Sequence, residues 1–264
     1  MKIALVGKGG SGKTTIAGTL SRVLAKREQR ILAIDGDPNP NLALTLGIPA
    51  VAAESIRSIP SSLIEMDKSE EGAPRLRLTM ARDSVIDSYA AAAPDGVRLI
   101  VMGKPADGSA GSGCMCASHR AVRGLIAEMT ACGDHTVTDM EAGLEHLKRG
   151  TARNVEAMLV VVEPYYRSLE AGARTFSLAR ELRIPHLFAI ANKVSNEADR
   201  GAIGAYCKQH QMPIIGEVPF DDGFVTAERS ARAPFDFAPS SPGVRAIEGI
   251  ADRLLALEPS AAAA

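Results

Sequence analysis

Short runs of β-branched and other apolar residues alternate along the chain with longer stretches whose apolar positions recur every three or four residues. The first kind marks strands buried on both faces and the second marks amphipathic helices, so their alternation predicts a parallel sheet with helices packed on each side. Strands are expected at KIALVG from Lys2, RILAID from Arg30, RLRLTM from Arg75, RLIVM from Arg98, HTVTD from His135, AMLVVVE from Ala157, LFAIANKV from Leu187 and PIIGEV from Pro213. Between Thr14 and Arg27, the residues Ile16, Leu20, Val23 and Leu24 share one helical face. A last helix from Val244 to Leu257 carries Val244, Ile247, Ile250, Leu254 and Leu257. The polar, weakly periodic stretch from Val51 to Pro74 is expected as helix and loop rather than sheet. GKPADGSAGSG from Gly103 is expected as loop, because glycines among small polar residues hold no regular element. The fold class these elements imply is α/β: a doubly wound, mostly parallel sheet with helices on both faces. It is expected as a single domain over 1–258 with a disordered tail at 259–264.

Composition narrows the function classes. With 264 residues, 46% hydrophobic and 23% charged, the chain can bury one large core. A net charge of −1 supplies no overall attraction for nucleic acid or an anionic membrane, so neither partner is expected. No apolar stretch approaches the roughly 20 residues of a membrane span, and Met1 runs directly into a strand-like segment instead of a signal peptide. Four cysteines without a disulfide framework fit a reducing compartment, and the cytoplasm is the expected location.

Residues Gly7 to Thr14 read GKGGSGKT, which fits G-x-x-x-x-G-K-[ST] between an expected strand and an expected helix. Glycines let successive backbone N–H groups turn around a phosphate, and the helix presents its positive end to the same anion. Gly9, Gly10, Ser11, Gly12, Lys13, Thr14 and Thr15 are therefore the expected contacts of a nucleoside triphosphate. Lys13 is expected at the β- and γ-phosphates and the Thr14 hydroxyl at Mg²⁺, a hard cation that takes oxygen ligands.

Lys8, directly after the first glycine, is the deviant feature of the loop. On this loop the chain resembles the MinD, ParA and nitrogenase iron-protein class of ATPases. The resemblance implies that Lys8 crosses a homodimer interface to the partner's phosphates, in the manner of an arginine finger. It implies that Asp37, in GDPNPN after RILAID, is the switch I carboxylate that orients or deprotonates the attacking water. The competing reading of Asp37 is a turn-capping aspartate before proline. Asp139, at the end of HTVTD, matches the Walker B position near Mg²⁺, and Gly143 matches the backbone N–H that senses the γ-phosphate. Glu141 replaces the usual proline of that segment, and Glu141 and His146 are equally readable as surface residues. In ANKV, Asn192 and the adjoining Lys193 resemble the purine-side segment. The aspartate of the GTPase N-K-x-D signature is missing, so ATP or ADP is favoured. VPFD from Val218 resembles the second adenine-side segment, with Asp221.

Cys114 and Cys116 stand one residue apart in GSGCMCASH. One chain then offers two soft ligands, whereas tetrahedral Zn²⁺ wants four, so a two-fold dimer would complete a site for Zn²⁺ or, by softness, Ni²⁺, Cu(I) or an iron–sulfur cluster. Cys132 and Cys207 read as inert thiols, and His119 as surface rather than ligand. GCMC-x-x-H followed by DMEAGLEHLKRGT resembles the CooC-type accessory ATPases of carbon monoxide dehydrogenase maturation. That resemblance implies ATP-driven dimerisation coupled to nickel delivery, with the dehydrogenase or another metalloenzyme as client. The alternatives are an iron-protein-like reductase carrying a [4Fe–4S] cluster and a MinD/ParA-type positioning ATPase. The first needs cysteines from widely separated segments. The second needs a basic anchor, which the final helix, with Glu248, Asp252 and Glu258 against Arg245 and Arg253, does not offer.

Overall fold

The structure is a computed structural model and describes residues 1–67, 75–102, 124, 126, 135–144, 147 and 154–257. In chain order the elements are β1 (Lys2–Gly7), α1 (Lys13–Lys26), β2 (Ile31–Gly36), α2 (Leu42–Leu46), α3 (Ala50–Glu54), β3 (Ile64–Asp67), β4 (Arg75–Leu78), α4 (Arg82–Tyr89), β5 (Ala91–Ala92) and β6 (Arg98–Val101). They continue with β7 (His135–Met140), β8 (Ala157–Val162), α5 (Tyr166–Glu181), β9 (His186–Val194), α6 (Glu197–Gln209), β10 (Ile214–Pro219), α7 (Asp222–Arg229), α8 (Pro234–Phe237) and α9 (Pro242–Leu255). Among the described residues eight strands form one sheet in the order β10-β9-β8-β1-β7-β2-β6-β5. Every pairing is parallel except the short β5 on β6.

The strands are buried on both faces because consecutive side chains enter different helical layers. Ile3 and Leu5 of β1 join Ile16, Leu20, Val23 and Leu24 of α1 and Val244, Ile247, Ile250 and Leu254 of α9 on one side. Ala4 and Val6 join Leu169 and Phe176 of α5 and Ile203 of α6 on the other. Each such Ile, Leu or Phe contributes about 1.5–3 kcal/mol by leaving water, which is why the alternation of apolar runs specifies the layers. The doubly wound class is therefore the observed one.

One segment departs from expectation. Arg75–Leu78 is a strand, but it pairs antiparallel with β3, Ile64 opposite Leu78, in a separate two-stranded sheet. The stretch expected as helix and loop thus contains a strand. Leu63 and Ile64 are buried while Glu65 is exposed. Two adjacent buried apolar residues are too short a signal to stand out from the acidic sequence that follows.

β1 lies where the strand order reverses: β2 and β7 are on one flank and β8 on the other. Ligands of open α/β sheets bind at such a switch point, beyond the carboxyl ends of the strands.

Candidate nucleotide site

β1 delivers the glycine-rich loop to that point, and α1 begins at Lys13 with Gly12 as its N-cap at φ 92° and ψ 15°. Gly12 is required twice over: its backbone is left-handed, and a Cβ there would collide with the side-chain amide of Asn192. The end of β9 holds the loop from the flank. Asn192 Nδ2 donates to Ser11 O at 2.7 Å, and Lys193 Nζ donates to Gly10 O at 2.7 Å while pairing with Glu163 Oε1 at 2.8 Å. Lys193 reaches the loop because it sits at φ 59°, where the register between β9 and β10 slips. Lys13 Nζ folds back to donate to Lys8 O at 3.2 Å. Burial pulls the Lys13 amine below the usual lysine range, against the opposing pull of Asp139 and Asp37. Lys8, Gly9 and Gly10 are exposed at the crest of the loop.

Two strand-end carboxylates stand beside it. The parallel register of β2 and β7 places Asp35 opposite Asp139, and both are fully buried. Thr14 Oγ1 donates to Asp139 Oδ2 at 2.6 Å, whereas Asp139 Oδ1 is buried without a hydrogen-bond partner among the described residues. Asp35 accepts from the backbone of Leu42 at 2.8 Å and of Asp37 at 3.2 Å. Burial raises Asp35 to about 6 and Asp139 to about 7, the latter pushed further by the charge of Asp35. A buried, half-satisfied carboxylate joined to a hydroxyl suits a hard dication, so the residues present fit Mg²⁺. Asp37 is half-exposed in the loop after β2 and accepts from Asn39 N at 2.8 Å. It therefore makes the turn bond of the competing reading while facing the same cluster. The 141–143 turn lies beside the loop crest, where a Cβ on Gly9 would meet Ala142 Cβ at 3.8 Å, and Gly143 is exposed there.

A cavity of about 460 Å³ opens from the loop toward α7 and α8. Its walls come from Gly10, Gly12, Lys13, Thr14 and Thr15, from Leu44 and Thr45 of α2, from Asn192 and Lys193, and from the stretch between Pro219 and Pro234. That volume is of the size that takes a small-molecule ligand. Two expectations are modified here. Asp221 lines the cavity, but its oxygens accept from Gly223 N and Gly243 N, each at 2.8 Å, so it caps α7 and ties down α9 in place of offering a free carboxylate to a base. One amide N–H of Asn192 is taken by Ser11 O, which leaves its carbonyl oxygen and its second N–H for the cavity. Ser11 itself is buried. Cys114 and Cys116, like His119, Cys132 and His146, lie outside the described residues, whereas Cys207 is buried on α6 and its thiol is pushed up to about 11 by that burial. Among the described residues no helix is long and apolar enough to cross a membrane.

Sequence reasoning passed over Asp35 and Glu163 as site residues. Each is an acid ending an apolar strand at the same sheet edge as Asp139, and that shared position was the available signal.

Residues 3–235 match the family described as the CobQ/CobB/MinD/ParA nucleotide binding domain. The chain belongs to this family. It is a P-loop ATPase of that family, and its curated relatives include the carbon monoxide dehydrogenase accessory protein CooC of Rhodospirillum rubrum, 35% identical over 248 residues that span 91% of each chain. An uncharacterized ATP-binding protein of Methanocaldococcus jannaschii is 34% identical over 235 residues, 86% of this chain and 88% of its own. Among solved structures, the MinD cell division protein of Aquifex aeolicus superposes with a TM-score of 0.69 at 20% identity, covering 98% of both chains. The cell division ATPase MinD of Pyrococcus furiosus superposes with a TM-score of 0.70 at 20% identity, over 96% of this chain and 98% of that one. At that identity the likeness is one of fold.

Proposed function

We propose that this MinD/ParA-family member is a dimeric metallochaperone ATPase of the cytoplasm that uses ATP to insert nickel into the cluster of carbon monoxide dehydrogenase. The observation that carries the reading is the 35% identity, over 91% of both chains, to a carbon monoxide dehydrogenase accessory protein. In this reading the loop amides, the α1 N-terminus and Lys13 bind the phosphates, with Thr14 and Asp139 holding Mg²⁺, which when bound neutralises phosphate charge. The carbonyl oxygen of Asn192 faces the exocyclic amine of adenine. Asp37, within reach of the cluster yet half-exposed to solvent, positions the attacking water and takes its proton. Lys8, exposed on the loop crest, reaches the phosphates of a second copy, and Gly143 on the adjoining turn offers its N–H to the γ-phosphate. Nickel is the cargo, carried between protomers by Cys114 and Cys116 of each chain.

Anaerobic nickel titration with analytical ultracentrifugation tests this reading. The expected result is one ion per dimer, proton release on binding, and metal-driven dimerisation that Cys114→Ser with Cys116→Ser removes without loss of ATP binding. One ion per monomer, or metal retained by the double variant, overturns the shared-cargo reading.

A further inference from the structure

Arg22 stands on α1 about two and a half turns beyond Lys13, and its side chain is only 4% exposed. Its Nε donates to Asp95 at 2.5 Å. Nη2 and Nη1 form a fork on the two oxygens of Asp236, at 2.8 and 3.1 Å, and Nη1 also donates to Leu46 O at 2.8 Å. The guanidinium lies 5.1 Å from the centre of the Phe235 ring. A buried cation is costly unless its donors are met, and here two carboxylates and a carbonyl meet them.

The backbone segments joined by these bonds are walls of the nucleotide cavity. Leu44 and Thr45 of α2 and Pro234 of α8 line it, and the bonded groups, Leu46 O and Asp236, lie within two residues of those lining positions on the same short helices. The two helices abut directly: a Cβ on Gly47, which ends α2, would come 2.6 Å from Asp236 Oδ2. α2 in turn follows the Asp37 loop. Asp95 differs, because it sits on the 94–96 turn, which does not contribute to the cavity.

We propose that Arg22 is a positioning residue for ATP: by gripping Leu46 O and Asp236 together it sets the separation of α2 and α8, and so the fit of the nucleotide, while Asp95 neutralises and anchors the guanidinium without touching that fit. The proposal rests on the cavity being the nucleotide site, which Lys13→Ala tests separately by loss of ATP binding.

Comparison of Asp236→Ala with Asp95→Ala decides it, using steady-state ATPase kinetics, ADP binding by titration calorimetry and thermal melting. Asp236→Ala is expected to raise KM for ATP and Kd for ADP about tenfold, the order expected for loss of a charge-assisted fork, with kcat held within about twofold. Asp95 has φ 58°, so Asp95→Ala loses its bond and also leaves alanine in a left-handed turn. It should therefore melt at a temperature as low or lower, yet keep KM within about twofold of the parent. Arg22→Lys, with one ammonium in place of the fork, should fall between Asp236→Ala and the parent in KM. Parent-like KM in Asp236→Ala, or equal KM changes from both carboxylates, overturns the proposal. If Asp236→Ala does not fold, Asp236→Asn, whose amide places a donor against the guanidinium, is read by the same two criteria.

Discussion

Asp35 and Asp139 are held side by side out of water by the register of β2 and β7. Removing a carboxylate from water favours its protonated form, and the second carboxylate adds to the effect. Both groups are raised in the folded state, to about 6 and about 7, from an ordinary value of 3.8. The folded protein therefore binds protons that the unfolded chain has released, across a window from about pH 4 to pH 7. The stability contribution of a raised acid is present at the low end of that window and is lost as pH rises through the folded value. Without nucleotide or metal, the unfolding free energy should fall by about 4 kcal/mol between pH 5 and 8, and Asp35→Asn should remove about a third or more of that fall, through its own titration and through the charge it imposes on Asp139. Urea titrations at both pH values check this; equal slopes for the variant and the parent would refute it.

Helix α2 presses on α1 at Gly18. A Cβ there would strike the Thr45 hydroxyl and stand 2.8 Å from the Thr45 carbonyl carbon, so no side-chain rotation relieves it. Thr45 meanwhile donates to Leu42 O at 2.9 Å and lies 3.2 Å from Thr14 O, on the residue whose hydroxyl donates to Asp139. Two effects oppose each other in Gly18→Ala. Helix propensity favours alanine by about 1 kcal/mol, while overpacking against backbone costs about 1–3 kcal/mol. The backbone contact decides the sign, so the variant should lose about 1 kcal/mol or more and bind ATP less tightly, measured by chemical denaturation and calorimetry. A variant as stable as the parent would show that α2 can move away freely. α7 supplies a contrasting case, because its cap, Asp221, is bonded twice to backbone and holds the far wall of the cavity still.

The whole chain places Lys8 at an exposed crest, at the point where the strand order reverses, beside the 141–143 turn. A cation in that position is directed away from its own core. Lys8→Ala is expected to bind ATP with affinity close to the parent, because Lys13 and the loop amides remain, but to lose the ATP-dependent dimer and at least about tenfold in turnover, as arginine-finger removal does. Sedimentation velocity with a non-hydrolysable ATP analogue, run beside an ATPase assay, separates the two effects. An undiminished dimer with normal turnover would assign Lys8 to the surface.

Local pattern alone determined the alternation of strands and helices, the loop from Gly7 to Thr14, the deviant Lys8 and the strand-end position of Asp139, because each depends on residues adjacent in the chain or one helical turn apart. The same pattern missed β3, where buried Ile64 beside exposed Glu65 is too little to register, and could not show that the oxygens of Asp221 accept from the backbone amides of Gly223 and Gly243. Tertiary structure decided the rest: the register that sets Asp35 against Asp139, the Asn192 and Lys193 bonds to loop carbonyls, and the fork of Arg22 on Asp236. Asn192 and Ser11 are separated by 181 positions and Arg22 and Asp236 by 214. Such contacts form only when the sheet order brings distant strands and helices together, so the chemistry of each residue is written in the chain but its partner is not.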